Sequence, residues 1–327
     1  MASDVKIIIS MAKPVGVIGF GCPLILEESA SKEVAYAKYS SLSALVAAGY
    51  AAESKVYKAV QLMFMQEHCP AEIAVCSTSG TAEAWLGVEA NVSKDWRQLV
   101  VIGEETNVAG IMALIEAQTV YPKMYFAGVD YDDATEYTVE GIERTVLVYY
   151  TATEAIPVPV AALAGEVGGL PVGSYTINNL VVKGISGLEL SQQDIEALHA
   201  KGGITYVLSA GDVVVSEGFS AGKVFVDQTD GNDWIKQQLE YKTQKVFNNN
   251  LKVPYTNAGI ALLESAAIDV MTDAVNKTIV ESFTVAYALR ENTTEADRAA
   301  RRYIGGNIVY TMAGAIHTIE INCEVSI

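Results

Sequence analysis

RQLVVIG (residues 97–103) is one of four short apolar runs that decide the fold class of this chain. The others are AEIAVCS (71–77), KMYFAGV (123–129) and RTVLVYY (144–150). Each run has the length of a strand, and a continuous apolar run is typical of a strand that is buried on both faces. The four runs therefore predict strands in the interior of one sheet.

Segments of helical character separate these predicted strands. They span residues 80–90, 107–118 and 132–142. Neighbouring parallel strands need a crossover connection of about a dozen residues or more, which is usually a helix. The alternation therefore predicts a three-layer α/β domain, with a mostly parallel sheet of at least four strands and helices on both faces.

The composition combines acidity with an apolar character. The 327 residues carry a formal net charge of −17, and half of them are hydrophobic; the pI is near 4.6 and the mean hydropathy is +0.24. The negative charge argues against a nucleic-acid backbone or an anionic membrane as the partner. The apolar half indicates either exposed surface that mediates self-assembly or a large buried core, and composition leaves both open.

No targeting segment, disulfide framework or cofactor is expected. The N-terminal residues 1–16 lack the basic start of a secretory signal. The apolar stretch Pro14–Leu26 is too short and too rich in glycine for a membrane helix. The four cysteines have neither metal-ligand spacing nor the density of a disulfide scaffold, so we expect reduced thiols.

Acidic residues follow the predicted strands at the sheet edge where α/β enzymes bind their ligands. Glu104, Asp130 and Asp132 have the carboxylate oxygens that Mg²⁺ prefers. Each acidic cluster also precedes a predicted helix, where carboxylates cap free N–H groups, and we favour that role. An α/β enzyme that uses these acids, with or without Mg²⁺, is the alternative function.

Other catalytic signatures are missing from the sequence. It contains no glycine fingerprint for a dinucleotide and no phosphate-binding loop. The three histidines lie in three separate regions. We therefore expect a protein that is not an enzyme. A monomeric binding protein is a third possibility, which the missing secretory signal disfavours.

The second half of the chain departs from the regular alternation. Residues 155–176 are rich in proline and glycine and predict a break or a long connection. SQQDIEALHAKGG (191–203) predicts a capped helix that starts after Ser191. The remaining predicted elements are strands at 204–208 and 222–227, a helix around 233–247, a helix from Asn257 to about Asn276, and a strand at 282–289.

Four of the six arginines lie within residues 290–302. TTEADRAARR (293–302) predicts a short helix with a capping box. In such a helix Arg298, Arg301 and Arg302 would share one face. This basic ridge is compatible with dipole compensation or a solvated face, and in so acidic a chain it is also a candidate for docking an acidic partner.

The closing residues HTIEINCEVSI (317–327) alternate apolar and polar side chains from Ile319 onward. This period of two predicts a half-buried β-strand. From Ile308 to Ile316 the apolar residues occupy even positions, whereas from Ile319 they occupy odd positions. A strand cannot change phase without an extra residue, so we expect a β-bulge or a strand break at 316–318.

Four longer stretches match a known family in order and spacing. They are residues 36–75 (starting YAKYSSLSALVAAGY), 171–207 (starting PVGSYTINNLVVKG), 224–266 (starting VFVDQTDGNDWIKQ) and 296–327 (ADRAARRYIGGNIVYTMAGAIH and the closing strand). Together they cover most of the chain. In these stretches the chain resembles the contractile tail sheath proteins of myophages and phage-tail-like particles.

The resemblance implies a structural role. Sheath subunits polymerise around an inner tube and contract to drive it through a target cell envelope. It also implies an α+β C-terminal domain that is completed by terminal arms exchanged between subunits, which is β-augmentation. The arm strands would contain Val5, Ile7, Ile9, Ile319, Ile321, Cys323, Val325 and Ile327. The tube-facing basic ridge would be Arg298, Arg301 and Arg302.

The resemblance further implies partners, a location and a division of the chain. The partners would be other copies in a helical or stacked-ring homopolymer, an inner tail tube protein, and baseplate and tail terminator proteins, without nucleic acid or membrane. The location would be a virion tail or phage-tail-like particle assembled in a bacterial host cytoplasm. The domains would be an N-terminal arm (1–18), an α/β domain (19–154), a connecting segment (155–222), a tube-facing domain (223–316) and a C-terminal arm (317–327).

Overall fold

A computed structural model describes residues 20–30, 33–79, 84–103, 107–132, 136–321 and 323. The strands are β1 (Leu24–Ala30), β2 (Val34–Tyr39), β3 (Ile73–Ser79), β4 (Gln98–Ile102), β5 (Met124–Asp130), β6 (Thr145–Tyr150), β7 (Gly203–Ser209), β8 (Asp212–Val215), β9 (Val280–Tyr287) and β10 (Gly306–Met312). The helices are α1 (Leu42–Ala47), α2 (Lys55–Phe64), α3 (Ala84–Asn91), α4 (Val108–Glu116), α5 (Val160–Gly169), α6 (Gln192–Ala200), α7 (Val226–Asn249), α8 (Asn257–Asn276) and α9 (Glu295–Ala299). No helix within these ranges is long and apolar enough to span a membrane.

The first eight strands form one sheet in the order β2-β3-β1-β4-β5-β6-β7-β8. The inner strands run parallel, and β2 and β8 pair antiparallel with β3 and β7 at the two edges. All four strands predicted from the apolar runs are present, as β3 to β6. The prediction of an α/β fold with a mostly parallel sheet is confirmed.

Apolar cores lie on both faces of this sheet because alternate residues of a strand point to opposite faces. In β5, Phe126 packs into the core that contains side chains of α2 and α5. Its neighbour Tyr125 packs into the opposite core with side chains of α4. Both are buried. Burial on both faces explains why the strands appear in the sequence as continuous apolar runs.

Two elements expected within this α/β unit are not formed. The helix predicted at 132–142 is wrong, because residues 136–142 are loop and turn; 133–135 lie outside the described residues. Tyr137 and Ile142 of this loop pack onto the sheet in place of a helix. The strand predicted at 222–227 is also wrong, because Lys223 has φ of 64° and interrupts the extended chain before α7 begins.

The proline- and glycine-rich stretch 155–176, expected as a break, instead contains the buried helix α5. The sheet continues beyond this helix into β7 and β8. The glycines let helices approach closely: a Cβ on Gly165 would lie 2.5 Å from the Cα of Met63 in α2. Glycine here marks a helix–helix contact and not the end of the sheet.

A second unit is built on α7 and α8, which pack against each other, with the antiparallel β9–β10 sheet against α8. Helix α8 covers the predicted residues, and Thr256 caps its N-terminus through the N–H of Gly259 at 3.3 Å. A small core joins the helices to the sheet; it contains Val172, Ile235, Met271, Ala274, Ile279 and Val280. The mixed α/β architecture with a second sheet is thus confirmed.

The strand break expected at 316–318 occurs earlier in the chain. Strand β10 ends at Met312, and residues 313–321 form no strand with any other residue that the structure describes. Gly314 has φ of 64°, a left-handed conformation that redirects the chain. The switch of the apolar residues from even to odd positions therefore lies in a segment that is no longer part of the sheet.

A buried ion network joins the two units. Arg97, directly before β4, pairs with both Asp230 and Asp233 of α7. Arg144, directly before β6, donates from both Nη atoms to Asp233 at 2.6 and 2.9 Å. The hydroxyl of Tyr175 donates to Asp230 at 2.6 Å. Because every charge has a partner, the network holds α7 against the amino ends of the parallel strands.

Two groups at this junction have shifted pKa values, for different reasons. Burial alone would raise the pKa of Asp233, but the hydrogen bond from Arg144 and the charge of Arg97 outweigh it and lower that pKa below its ordinary value. Lys123, directly before β5, donates from Nζ to the carbonyl oxygen of Trp96 at 2.5 Å. Burial, together with the nearby charge of Arg97, lowers the pKa of Lys123 to about 7.

Candidate assembly surfaces

The β9–β10 sheet is narrower than the layer formed by helices α7 and α8. Helices α7 and α8 contain 24 and 20 residues. Two packed helices present a surface roughly 20 Å wide, whereas two strands cover only about 10 Å. The strand side chains that face the helices are accordingly only partly buried: Phe283, Val285, Ile308, Tyr310 and Met312. Among the described residues, only these two strands cover the helix pair, which is about two strands wider than they are.

The free edges of this sheet are open to pairing. Within the described residues, neither β9 nor β10 has a second neighbouring strand. Edge strands that avoid pairing usually carry charge or proline, but β10 (GNIVYTM) has neither, and the only charge in β9 is Glu281. The outer face is exposed and bears small or polar side chains apart from Val309: Ser282, Thr284, Ala286, Asn307 and Thr311.

The C-terminal segment that follows β10 exposes large apolar side chains. Ile316, Ile319 and Ile321 are 91%, 76% and 72% exposed, and Cys323 is exposed as a free thiol. Burying one such side chain in a partner is worth about 1.5–3 kcal/mol. The other predicted arm residues lie outside the described part of the chain: Val5, Ile7, Ile9, Val325 and Ile327.

The basic ridge predicted on one helix face is not formed. Helix α9 ends at Ala299, so Arg301 and Arg302 lie beyond it. Arg301 has φ of 54°, in the left-handed region that non-glycine residues rarely adopt. The helix is shorter than predicted, and Arg298, Arg301 and Arg302 therefore do not share its face.

Two of the three arginines are used to hold the local turn. Arg298 donates from Nη1 to main-chain carbonyl oxygens in the preceding turn. Arg302 donates to Oδ1 of Asp297 at 2.6 Å. Hydrogen bonds from Thr294 and Arg302 lower the pKa of Asp297. Arg301 donates its main-chain N–H to the carbonyl oxygen of Arg298 at 3.1 Å. Its side chain is exposed and forms no ion pair or hydrogen bond with the described residues.

Three tyrosine rings support the turn that presents Arg301. Tyr303 stacks on Tyr287 with ring centroids 5.8 Å apart and meets Tyr255 edge-on at 6.1 Å. Tyr255 also donates from its hydroxyl to the carbonyl oxygen of Arg302 at 3.3 Å. The exposed guanidinium of Arg301 is thus carried by a turn packed against β9.

The strand-end acids do not assemble into a metal site. Asp130 and Asp132 are exposed, and Oδ1 of Asp130 accepts the main-chain N–H of Asp132 at 3.1 Å. Glu104 lies outside the described residues. Among the residues that the structure covers, no three His, Cys, Asp or Glu side chains are grouped as metal ligands would be. The enzyme alternative is not supported.

The three histidines have separate partners and different surroundings. His68 contacts Glu166 at 2.5 Å, and His317 contacts Glu217 at 2.8 Å. His199 contacts the hydroxyl of Ser216 at 2.9 Å, and burial lowers the pKa of this histidine. In the described structure no carboxylate hydrogen-bonds to the ring of His199, so these residues do not form a Ser–His–acid triad.

Several solved structures are similar to this chain. No protein-family model and no curated protein matches it. The contracted helical sheath of the anti-feeding prophage matches with a TM-score of 0.71 at 14% sequence identity, covering 100% of this chain and 99% of that chain. The contracted sheath of the extracellular contractile injection system PVC matches with a TM-score of 0.73 at 11% identity, covering 96% of both chains.

A third solved structure is similar over nearly the whole length. It is a sheath tail protein from Desulfitobacterium hafniense, with a TM-score of 0.56 at 11% identity, covering 93% of this chain and 98% of that chain. The coverage in all three cases includes both the eight-stranded sheet and the second unit. The chain therefore has the fold of contractile sheath proteins.

Proposed function

We propose that this protein is the structural subunit of a contractile sheath, which polymerises around an inner tube and contracts to drive the tube through a target cell envelope. The observation that carries the proposal is the match over the full chain to sheath subunits of two injection systems. The two-stranded β9–β10 sheet supports it, because its outer edges have no strand neighbour within the described residues and could pair with strands of other copies.

The proposal includes a set of partners and a location. The principal partner is the same chain in a helical or stacked-ring homopolymer. An inner tail tube protein, baseplate proteins and a tail terminator protein complete the particle. The location is a virion tail or a phage-tail-like particle, assembled in the cytoplasm of a bacterial host. No catalytic step is required, since contraction releases energy stored in the lattice at assembly.

We propose that the β9–β10 sheet is completed by arms from neighbouring copies. Two additional strands would match the width of the α7–α8 layer. Main-chain hydrogen bonds would supply the affinity, and the alternating side chains of residues 319–327 would set the register. In this scheme residues 1–18 and 317–327 are the arms and 223–316 is the tube-facing domain, beside the α/β segments 19–154 and 155–222.

Negative-stain electron microscopy of the purified full chain tests the proposed function. We expect rings, tubes or long helical polymers, whose number increases with protein concentration. A compact monomer at high concentration, both alone and after addition of a matching tube protein, would contradict the proposal.

Deletion of residues 318–327 tests the arms separately from folding. We expect a soluble, cooperatively folding subunit that no longer polymerises, because the sheet of the neighbour then lacks a strand. Circular dichroism melting and electron microscopy of the same preparation report the two properties. If the deletion abolishes folding, the segment belongs to the subunit's own core.

Charge reversal at Arg301 tests the tube-facing surface. Arg298, Arg301 and Arg302 stay our candidates for tube contact, and Arg301 is the one with a free guanidinium among the described residues. We expect Arg301→Glu to weaken co-sedimentation with the tube, most strongly at low salt. Lys55→Glu, an equal charge change on the exposed start of α2, is the matched control. Equal binding by both variants would rule out a role for Arg301.

A further inference from the structure

Within the described residues, the C-terminal segment is attached to its own subunit through one residue after it leaves β10. The last main-chain hydrogen bond runs from the N–H of Ala313 to the carbonyl oxygen of Ile279, at 3.0 Å. Gly314 then redirects the chain with φ of 64°. From residue 314 to 321 the main chain forms no hydrogen bond with any other described residue. What holds the segment must therefore be a side chain.

That side chain is His317, which bridges to the other unit. Its Nδ1 lies 2.8 Å from Oε1 of Glu217, in the loop after β8. Its Nε2 lies 3.0 Å from Oγ1 of Thr176, in the loop after α5. Its ring meets that of Phe225 edge-on, with centroids 4.8 Å apart. One residue thus fixes the segment to two loops and to the residue before α7.

The surroundings of His317 are shaped to accept the ring. Gly218 lies beside it, and a Cβ at this position would come within 2.9 Å of Cε1 of His317 and 3.0 Å of Oγ1 of Thr176. Any side chain on residue 218 would therefore displace the imidazole or its partner. A loosely placed surface histidine would not depend on such a space.

Along this segment the polar histidine is mostly buried and the apolar isoleucines near it are exposed, the opposite of what hydrophobicity alone would favour. The side chain of His317 is 13% exposed, whereas Ile316 and Ile319 on either side are 91% and 76% exposed. A single chain that minimised its apolar surface would bury isoleucine before histidine. This arrangement leaves the isoleucines available for another surface while the histidine is held.

We propose that His317, Thr176, Glu217 and Phe225 form a latch that fixes where the C-terminal segment leaves the subunit, and so presents Ile319 and Ile321 to a second copy of this chain. The proposal rests on the proposed function, in which the acceptor is the open β9–β10 sheet of a neighbour. Holding the segment before it binds reduces the conformational entropy lost on assembly. His317 is a positioning residue and does not itself contact the neighbour.

The latch can be tested in the isolated subunit, independently of assembly. Cys69 and Cys323 are exposed free thiols, whereas Cys22 and Cys76 are buried. Spin labels on the exposed pair report the position of the segment relative to the α/β unit by electron–electron double resonance. Light scattering establishes that the labelled sample is monomeric. We expect a narrow distance distribution in the wild type and a distribution at least twice as broad in His317→Ala.

Further variants separate the latch from a general loss of structure. His317→Phe keeps the ring contact with Phe225 but removes both hydrogen bonds. Gly218→Ala leaves every partner chemically intact but places a methyl group against the edge of the ring and against Oγ1 of Thr176. Both should broaden the distribution without loss of the cooperative thermal transition. Lys242→Ala, which removes the surface ion pair with Asp273 between α7 and α8, is the control and should leave it narrow. Wild-type and His317→Ala distributions of equal width would overturn the latch.

Assembly gives the second readout. In wild-type protein that polymerises, His317→Ala should raise the protein concentration needed for polymer about tenfold, because the segment must then be ordered during assembly. An unchanged concentration would overturn the role of the latch while leaving the sheath proposal intact. Failure of the wild type itself to polymerise would instead count against the proposed function, and the spin-label result would still decide whether the latch exists.

Discussion

The eight-stranded sheet and the β9–β10 sheet consist of similar strands but differ in how far other elements cover them. The large sheet is covered by apolar cores on both faces. The small sheet is half-buried on one face and exposed on the other, and among the described residues its edges have no strand neighbours. In the proposed sheath, the first sheet makes a rigid body and the second is completed by strands from other copies.

The first way to sharpen this contrast is to truncate one residue in each sheet. Phe126 is fully buried in β5, whereas Val309 in β10 is 61% exposed. We expect Phe126→Ala to lower the free energy of unfolding by about 4 kcal/mol through lost transfer energy and a cavity. Val309→Ala should change it by less than about 0.5 kcal/mol. Urea unfolding measures both, and a cost for Val309→Ala comparable to that of Phe126→Ala would mean that the small sheet is already complete.

A second comparison sets the buried ion network against a surface ion pair. Asp230→Ala removes a carboxylate from the buried guanidinium of Arg97 and should cost about 3 kcal/mol. Asp273 pairs with Lys242 at 2.7 Å on the exposed side of α8, and Asp273→Ala should cost less than about 1 kcal/mol. Calorimetry should also show the second unit melting before the large sheet in Asp230→Ala. A single unchanged transition would contradict the role of the network as the link between the units.

The pH dependence of the free energy of unfolding tests the same junction, with a smaller expected effect. The pKa of Lys123 is about 7 in the folded protein and about 10.4 in an unfolded chain. Between these values the unfolded chain binds more protons, so the free energy of unfolding should rise with pH, by on the order of 1 kcal/mol per pH unit. Lys123→Met should remove this slope.

The comparison of wild type with Lys123→Met is best made between about pH 7 and 8.5. Burial raises the pKa of the Cys22 and Cys76 thiols to about 11 and 12 in the folded protein. Above about pH 8.5 these thiols ionise more readily in the unfolded chain, so they make the free energy of unfolding fall as pH rises. Guanidinium unfolding at several pH values measures the slopes. Equal slopes in the two proteins would show that Lys123 is protonated in the folded state throughout.

The smallest expected effect on stability comes from the C-terminal segment. Ile321 is 72% exposed, so Ile321→Asp should leave the free energy of unfolding within about 0.5 kcal/mol of the wild type. The same change should abolish polymers, because an aspartate would have to be buried in the neighbouring subunit. Asp212→Ala, at the start of the edge strand β8, is a control that should alter neither property. Intact polymers from Ile321→Asp would exclude this residue from the interface.

The parallel core of the fold could be predicted from the sequence because its signal is local. Runs buried on both faces appear directly as apolar stretches, and they became β3 to β6. Strand β1 was not predicted, because its place between β3 and β4 depends on pairing with residues 49 to 75 positions away. Helix α5 was not predicted for another reason: its glycines are typical of a break, although they allow close contact with α2.

The candidate surfaces were predictable only in part. The alternation from Ile319 onward predicts a half-buried strand, whereas Ile319 and Ile321 are exposed and form no strand with the described residues. The basic ridge required a helix that continues past Ala299, and the chain leaves the helix there. The junction residues Arg97, Lys123 and Arg144 were not singled out. The sequence does contain a pattern that sets them apart, because each is a basic residue directly before one of three successive strands. Their acidic partners in α7 could not be inferred, because that contact depends on tertiary packing.

Cryo-electron microscopy of polymers formed by the full chain tests the central claim most directly, because the path of residues 313–327 can then be traced. We expect each C-terminal segment to leave its subunit after His317 and to lie as a strand beside the β9–β10 sheet of a neighbouring copy. A segment that folds back onto the sheet of its own subunit would contradict the claim that this sheet is completed by other copies.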